Sequence, residues 1–129
     1  PDVRGILDAV KAVNIWGIHS RDPLDSWVAG RAVLMGDACH TMPPYMAQGA
    51  AMALEDAVVL ARCIREAVDS GSHIQDAYDI YQAARLGRTA AVQRGARANN
   101  WGRFGWDADW VFGYDAFTAP LSSTKEEIA

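Results

Sequence analysis

Cysteine is scarce in this chain. Cys39 and Cys63 are the two among 129 residues, too few for a disulfide scaffold and better matched to a reducing compartment such as the cytoplasm. Long apolar runs are missing too. The longest stretch without Asp, Glu, Lys or Arg, Ala38 to Leu54, is interrupted by Pro43-Pro44 and Gly49, and it falls short of the roughly 20 apolar residues that span a bilayer. There is no excess of positive charge. Twelve basic residues against 16 acidic give a net charge of −4, which provides no general attraction to nucleic acid or an anionic membrane. The N-terminus carries neither an initiator methionine nor a signal-peptide pattern, and Pro1-Asp2 reads as a cut inside a longer chain.

What is present suits a folded core. Half the residues are apolar and 22% are charged, in a length that fits one domain. Ile6, Leu7, Val10 and Val13 have helical spacing over Val3 to Val13, and Asn14 to His19 alternates loosely as a strand would. Arg21-Asp22-Pro23-Leu24-Asp25 is turn chemistry. Trp27 to Arg31 leads through Gly30 into Ala32-Val33-Leu34-Met35, a short apolar run that predicts a buried strand ending at Gly36-Asp37. His40 to Gln48 is a loop stiffened by Pro43 and Pro44.

A helix is expected from Gly49, with Ala53, Ala57, Leu60, Ala61, Ile64, Ala67 and Val68 as its apolar stripe, stopped by Ser70-Gly71-Ser72. A second starts near His73, carries Ile74, Ala77, Tyr78, Tyr81, Arg85, Arg88 and Val92 on one face, and runs to about Trp101, weakened by Gly87 and Gly95. An aromatic stretch from Gly105 and a polar end from Ser122 follow. The fold class is therefore mostly α with one or two short strands. Two strands do not make a self-sufficient sheet, so the chain is expected to be part of a larger fold.

The chemistry concentrates between Arg31 and Ala51. A strand ending in Asp37 places a carboxylate at a sheet edge, where a sugar or ribityl hydroxyl can donate to it. A helix opening at Gln48-Gly49-Ala50-Ala51 offers free N–H groups and a positive dipole end, with side chains small enough for a flat, partly anionic ring to approach.

Gly36-Asp37-Ala38-Cys39-His40-Thr41-Met42-Pro43-Pro44-Tyr45-Met46-Ala47-Gln48-Gly49-Ala50 resembles the second flavin-binding motif of single-component FAD-dependent aromatic hydroxylases. The resemblance continues through Leu54-Glu55-Asp56-Ala57, Tyr81, Arg85, Arg88 and Thr89 to Trp110-Val111-Phe112-Gly113-Tyr114-Asp115, covering about residues 14–118. Among branches it is most similar to salicylate hydroxylases and 6-hydroxynicotinate 3-monooxygenases. It implies the C-terminal piece of an α/β, Rossmann-like FAD-binding fold. Residues 1–30 would end the substrate-domain region, 31–118 would belong to the FAD-binding domain, and 119–129 would form a polar tail.

The resemblance further implies that Asp37 binds the ribityl chain, that Gly36, Ala47, Gly49, Ala50 and Ala51 contact FAD, and that the Pro44 carbonyl borders flavin and substrate. Ala51 stands where many members carry Asn, leaving a backbone contact only, and Tyr45 stands where the hydroxynicotinate branch carries His. The implied activity is NADH- or NADPH-dependent hydroxylation of an aromatic or pyridine carboxylate through a flavin C4a-hydroperoxide. The implied partners are that small acid and the missing N-terminal part of the same enzyme. Separately, the uncovered apolar faces of the helical pair lead to an expectation of self-association, as a homo-oligomer, or of a partner chain. Neither nucleic acid nor membrane is implied. The chain holds no Gly-x-Gly-x-x-Gly for the ADP half of the cofactor, so by itself it is expected to be inactive. The alternative from another class is a non-enzymatic α-helical interaction domain derived from such a flavoenzyme.

Plainer readings stand beside these. Asp37, Cys39 and His40 form a tight cluster, but a zinc site wants four ligands and no second pair exists. No metal is expected, and His40 is read as a structural, hydrogen-bonded histidine. Glu55 and Asp56 are read as acids favouring the helix dipole. Arg85, Arg88, Arg94, Arg97 and Arg103 are read as a solvated face or buried ion pairs rather than an RNA-binding stripe.

Overall fold

The computed structural model describes residues 2–99 and 107–121. In chain order the elements are α1 (Asp2–Asp8), β1 (Val28–Ala29), β2 (Ala32–Val33), α2 (Asp37–His40), a 3₁₀ turn (Pro44–Met46), α3 (Gly49–Ser70), α4 (Ile74–Ala98) and α5 (Ala108–Phe112). The described residues are thus mostly helical with one two-stranded sheet.

The centre is an antiparallel hairpin of α3 and α4. Its turn follows from Gly71, which takes φ +70° as the left-handed cap of α3, while the Ser72 N–H returns to the Ala67 carbonyl at 2.9 Å. α4 begins after His73, whose backbone N–H donates to Asp76 Oδ2 at 3.2 Å. It ends at Ala98, where Asn99 takes φ +47°. Gly87 and Gly95 both lie within it. Trp101, Arg103, Phe104, Trp106 and the polar end from Ser122 lie outside the described residues.

The buried face of α3 differs from the expected stripe. Met52, Asp56, Val59, Cys63 and Ala67 face inward, whereas Ala57, Ala61 and Val68 are exposed. The apolar pattern misled because the inward face includes a charged residue, Asp56, which is paired with Arg85 of α4. On α4 the expected face largely holds: Ala77, Tyr81, Arg85 and Val92 are buried, Tyr78 and Arg88 are half-buried, and Ile74 is exposed.

β1 and β2 form an antiparallel hairpin, with Val28 opposite Val33 and Ala29 opposite Ala32. Gly30, at φ +56°, supplies the positive φ of the two-residue turn. The strand expected over Ala32 to Met35 stops at Val33, and Leu34 and Met35 are exposed. Gln82 of α4 holds this hairpin through its Oε1, which accepts from the backbone N–H groups of Trp27 and Val28. Trp27 is buried between Tyr81 and His40, with ring centroids 5.7 and 5.8 Å away.

Two expectations at the N-terminal end fail. The helix covers Asp2–Asp8 rather than Val3 to Val13, and Asn14 to His19 is not a strand. Among the described residues its alternation finds no neighbouring strand to bond, and Ile15 and Trp16 are 96% and 84% exposed. At the other end, residues 107–121 lie across the helical hairpin. Arg62 Nη1 donates to the Ala116 and Ala119 carbonyls at 2.8 Å each. Arg88 donates to those of Trp110 and Val111 at 2.8 and 2.9 Å, and its guanidinium sits 4.2 Å from the Tyr114 ring centre. Among the described residues, no helix is long and apolar enough to cross a membrane.

Candidate functional site

The segment between β2 and α3 holds the short helix α2 and the 3₁₀ turn, where the sequence predicts a tight Gly36-Asp37 turn and a proline-stiffened loop. Gly36 adopts φ +62°, ψ −140° and is the N-cap of α2; its carbonyl accepts from the Cys39 and His40 amides at 2.9 and 3.0 Å. Pro43 and Pro44 then start the 3₁₀ turn, which closes when the Ala47 N–H donates to the Pro44 carbonyl at 2.9 Å. Ala47 takes φ +52°, an unusual conformation for a residue with a Cβ. Gln48 leads into α3 without capping its first turn by a side-chain hydrogen bond.

The structure brings two of the sequence-derived candidates together. Asp37 is exposed, and a Cβ built on Gly49 would lie 3.9 Å from Asp37 Oδ1 and 4.0 Å from Met42 Cγ. The missing side chain of Gly49 therefore leaves a space beside the Asp37 carboxylate at the opening of a 22-residue helix. Ala50 is exposed and Gly49 and Ala51 are half-buried, so small groups line the helix start. Gly36 lies buried beneath, against Ala53. Pro44 and Ala47 are exposed at the two ends of the 3₁₀ turn. The Pro44 carbonyl already accepts one hydrogen bond and keeps a second lone pair.

Under this surface lies a network of which the sequence indicates a hydrogen-bonded His40 and buried arginine pairs, but not the carboxylate at its centre. Asp56 is not a dipole-favouring surface acid: it is 0% exposed. Its Oδ2 accepts from the Gly36 N–H at 3.0 Å and from His40 Nε2 at 2.6 Å, and its Oδ1 accepts from Arg85 Nε at 2.8 Å. The acceptor-only carboxylate assigns the His40 proton to Nε2. Arg85 Nη1 also lies 2.7 Å from Glu55 Oε2, in an ion-pair contact without hydrogen-bond alignment. Arg88 binds Glu55 with both Nε and Nη2, at 2.9 and 3.0 Å. Two arginines thus face two carboxylates. Buried ion pairs were one reading of the arginine stretch, and Arg85 and Arg88 follow it. Arg97, partly exposed, pairs instead with the exposed Asp22. The signal that could have located Asp56 is its place opposite Arg85: 14 residues before the end of α3 against 11 after the start of α4, within reach of a long arginine side chain.

Cys39, His40 and Asp56 present ligand-type atoms within 4.8 Å of one another. All three groups are engaged in hydrogen bonds within the protein. Burial, with the nearby Asp56 charge, pushes the Cys39 thiol up to about 12, and its Sγ donates to the Gly36 carbonyl at 3.2 Å. Both Asp56 oxygens are already engaged, one of them by a guanidinium.

Burial works to raise the Asp56 pKa, but the His40 hydrogen bond and the Arg85 charge outweigh it and hold the carboxyl below its ordinary value of 3.8. A depressed folded-state pKa gives stability that is fully present above the unfolded pKa and is lost as pH falls through the folded one. The urea midpoint of the full-length protein is therefore expected to fall below about pH 4. An Asp56→Asn variant should start lower and show a shallower acid slope, measured by fluorescence across pH 2.5–7.

A family model described as FAD binding domain matches residues 2–96. The chain is 47% identical over 130 residues to 6-hydroxynicotinate 3-monooxygenase of Pseudomonas fluorescens, covering 100% of this chain and 33% of the relative. It is 44% identical over 132 residues to the protein of the same name from Bordetella bronchiseptica, again covering 100% and 33%. It is 37% identical over 97 residues to 3-hydroxybenzoate 6-hydroxylase of Polaromonas naphthalenivorans, covering 75% and 24%. The chain thus spans a third or less of the length of these curated relatives.

Proposed function

We propose, from the premise that the chain belongs to the FAD binding domain family, that it is the C-terminal part of a flavin-dependent monooxygenase that hydroxylates an aromatic or pyridine carboxylate. The observation that carries the site is the space left by Gly49 beside the exposed Asp37 carboxylate, at the uncapped start of α3. An acceptor next to a cluster of N–H donors fits a cofactor that offers both sugar hydroxyls and an electron-rich ring edge.

In this reading Asp37 accepts from the ribityl chain. Gly36 lets the backbone turn so that Asp37 faces outward. Gly49, Ala50 and Ala51 let the ring system approach the α3 amides, which favour negative charge at that edge. Ala47 holds the end of the turn that presents the Pro44 carbonyl, and the free lone pair of that carbonyl orients a substrate hydroxyl. When bound, FAD supplies the oxygen-transfer chemistry, with NADH or NADPH as its source of electrons. Residues 31–118 form the last part of the Rossmann-like FAD-binding domain, after the end of the substrate-domain region at residue 30 and before the polar tail at 119–129. The enzyme works in the cytoplasm. The relatives' names support the substrate class, since 6-hydroxynicotinate and 3-hydroxybenzoate are both hydroxylated ring carboxylates.

Two measurements on the full-length protein test this. Substrate-stimulated NAD(P)H oxidation with 6-hydroxynicotinate, 3-hydroxybenzoate and salicylate, with product identified by mass, should show a hydroxylated ring. Asp37→Ala removes a charged acceptor, a loss of about 1.5–3 kcal/mol or roughly ten- to a hundredfold in FAD affinity. Unaltered FAD binding in a fluorescence titration would overturn the site.

A further inference from the structure

If Asp37 is the residue that meets the cofactor, something must fix where its carboxylate points; the inference drawn here rests on that reading. α2 is only four residues long and is exposed at Asp37 and Ala38. Its internal bonds to the Gly36 carbonyl hold its shape but not its direction. Direction comes from outside. The Gly36 N–H, immediately before Asp37, and the His40 ring, three residues after it, both donate to Asp56 Oδ2 on α3. Asp56 is held in turn by Arg85 Nε on α4. Beyond α2, buried Gln93 Nε2 donates to the Thr41 carbonyl at 2.9 Å. Asp37 therefore lies on a short arch with one fully buried carboxylate gripping both of its ends.

We infer that Asp56 is a positioning residue for the cofactor site: by gripping Gly36 and His40 it sets the orientation of the Asp37 carboxylate toward the ribityl hydroxyls. A purely architectural Asp56, joining α3 to α4 through Arg85, would make a different prediction. Its loss would weaken the fold, but any effect on FAD would not depend on Asp37.

A double-mutant cycle on the full-length protein separates these. Asn has nearly the shape of Asp but a single oxygen, so Asp56→Asn cannot accept from Arg85 and from Gly36 and His40 together. FAD dissociation constants are measured by fluorescence titration for the parent, Asp56→Asn, Asp37→Ala and the double variant; urea denaturation of the apoproteins is measured in parallel. Asp56→Asn should weaken FAD about tenfold in the parent and hardly at all in the Asp37→Ala background, a coupling of about 1.4 kcal/mol. The two losses in urea stability should simply add.

Equal weakening by Asp56→Asn in both backgrounds would overturn the inference. So would unchanged FAD affinity in Asp56→Asn when Asp37→Ala weakens binding. If Asp37→Ala alone has no effect, the functional reading fails and the inference falls with it. Should Asp56→Asn not fold, His40→Ala takes its place in the cycle, with the same coupling expected. His40→Gln, which keeps an N–H donor within reach of Asp56, should restore most of the affinity, and failure of that rescue would also count against the inference.

Discussion

Replacing Arg85 with methionine is expected to cost the full-length protein about 3–5 kcal/mol of stability, the range for breaking a buried ion pair from one side. The size of the loss follows from what stays behind. Arg85 and Asp56 are both 0% exposed. Glu55, the guanidinium's other partner, keeps its two contacts to Arg88, so Asp56 is the group left with an uncompensated charge. Burial then acts on its carboxyl with only His40 and the Gly36 amide in opposition. The loss should be largest near neutral pH and should narrow on acidification, because a protonated Asp56 no longer requires the guanidinium. The double variant Arg85→Met with Asp56→Asn should lose less than the sum of the single changes. Urea denaturation at pH 7 and pH 4 checks both statements, and strict additivity at pH 7 would separate the two residues energetically.

Gly36→Ala should harm both the fold and the site. At φ +62° and ψ −140° Gly36 occupies backbone space that residues with a Cβ rarely enter, a strain of about 1–3 kcal/mol. The added Cβ would also meet the Ala53 Cβ at 3.2 Å, and that neighbour sits on a rigid helix. The turn's easiest relief is to swing the Gly36 N–H away from Asp56, which carries Asp37 with it. The expected result is a lower thermal midpoint together with weaker FAD retention after gel filtration. Gly30→Ala is the control. Gly30 has a positive φ as well, but nothing lies within 4 Å of an added Cβ, so it should lose stability without losing flavin.

Much of the frame was legible because its signals are local. Ser70-Gly71-Ser72 marks a helix stop through the left-handed glycine, and Pro43-Pro44 marks a stiff connection, whatever surrounds them. Asp37 and Gly49 could be paired as candidates from chain order alone, and the fold sets them side by side. What escaped depends on distant partners. Glu55 and Asp56 look alike in sequence, yet they point about 100° apart on α3, and only Asp56 turns fully into α4. The apolar count for α3 treated Asp56 as a surface residue, so the predicted stripe was rotated away from the true one. Asn14 to His19 failed for the opposite reason: alternation alone forms no strand without a neighbour to bond.

α4 carries its polar grips at four levels, each on a different part of the chain. Gln82 holds the β-hairpin, Arg85 holds Asp56, Arg88 holds Glu55 and the α5 backbone, and Gln93 holds the carbonyls of Arg21 and Thr41. These grips spread over an arc of about 140° around the helix, so each depends on the register of α4. A substitution at one level leaves the other three engaged, but deleting one residue between Gln82 and Arg85 would turn everything after it by about 100° and shift it by about 1.5 Å. Three grips would then be lost in one step. The reading frame of this helix is for that reason far less negotiable than its composition, and insertions or fusions belong at the exposed Gly71-Ser72 turn, where the register of α4 is left intact.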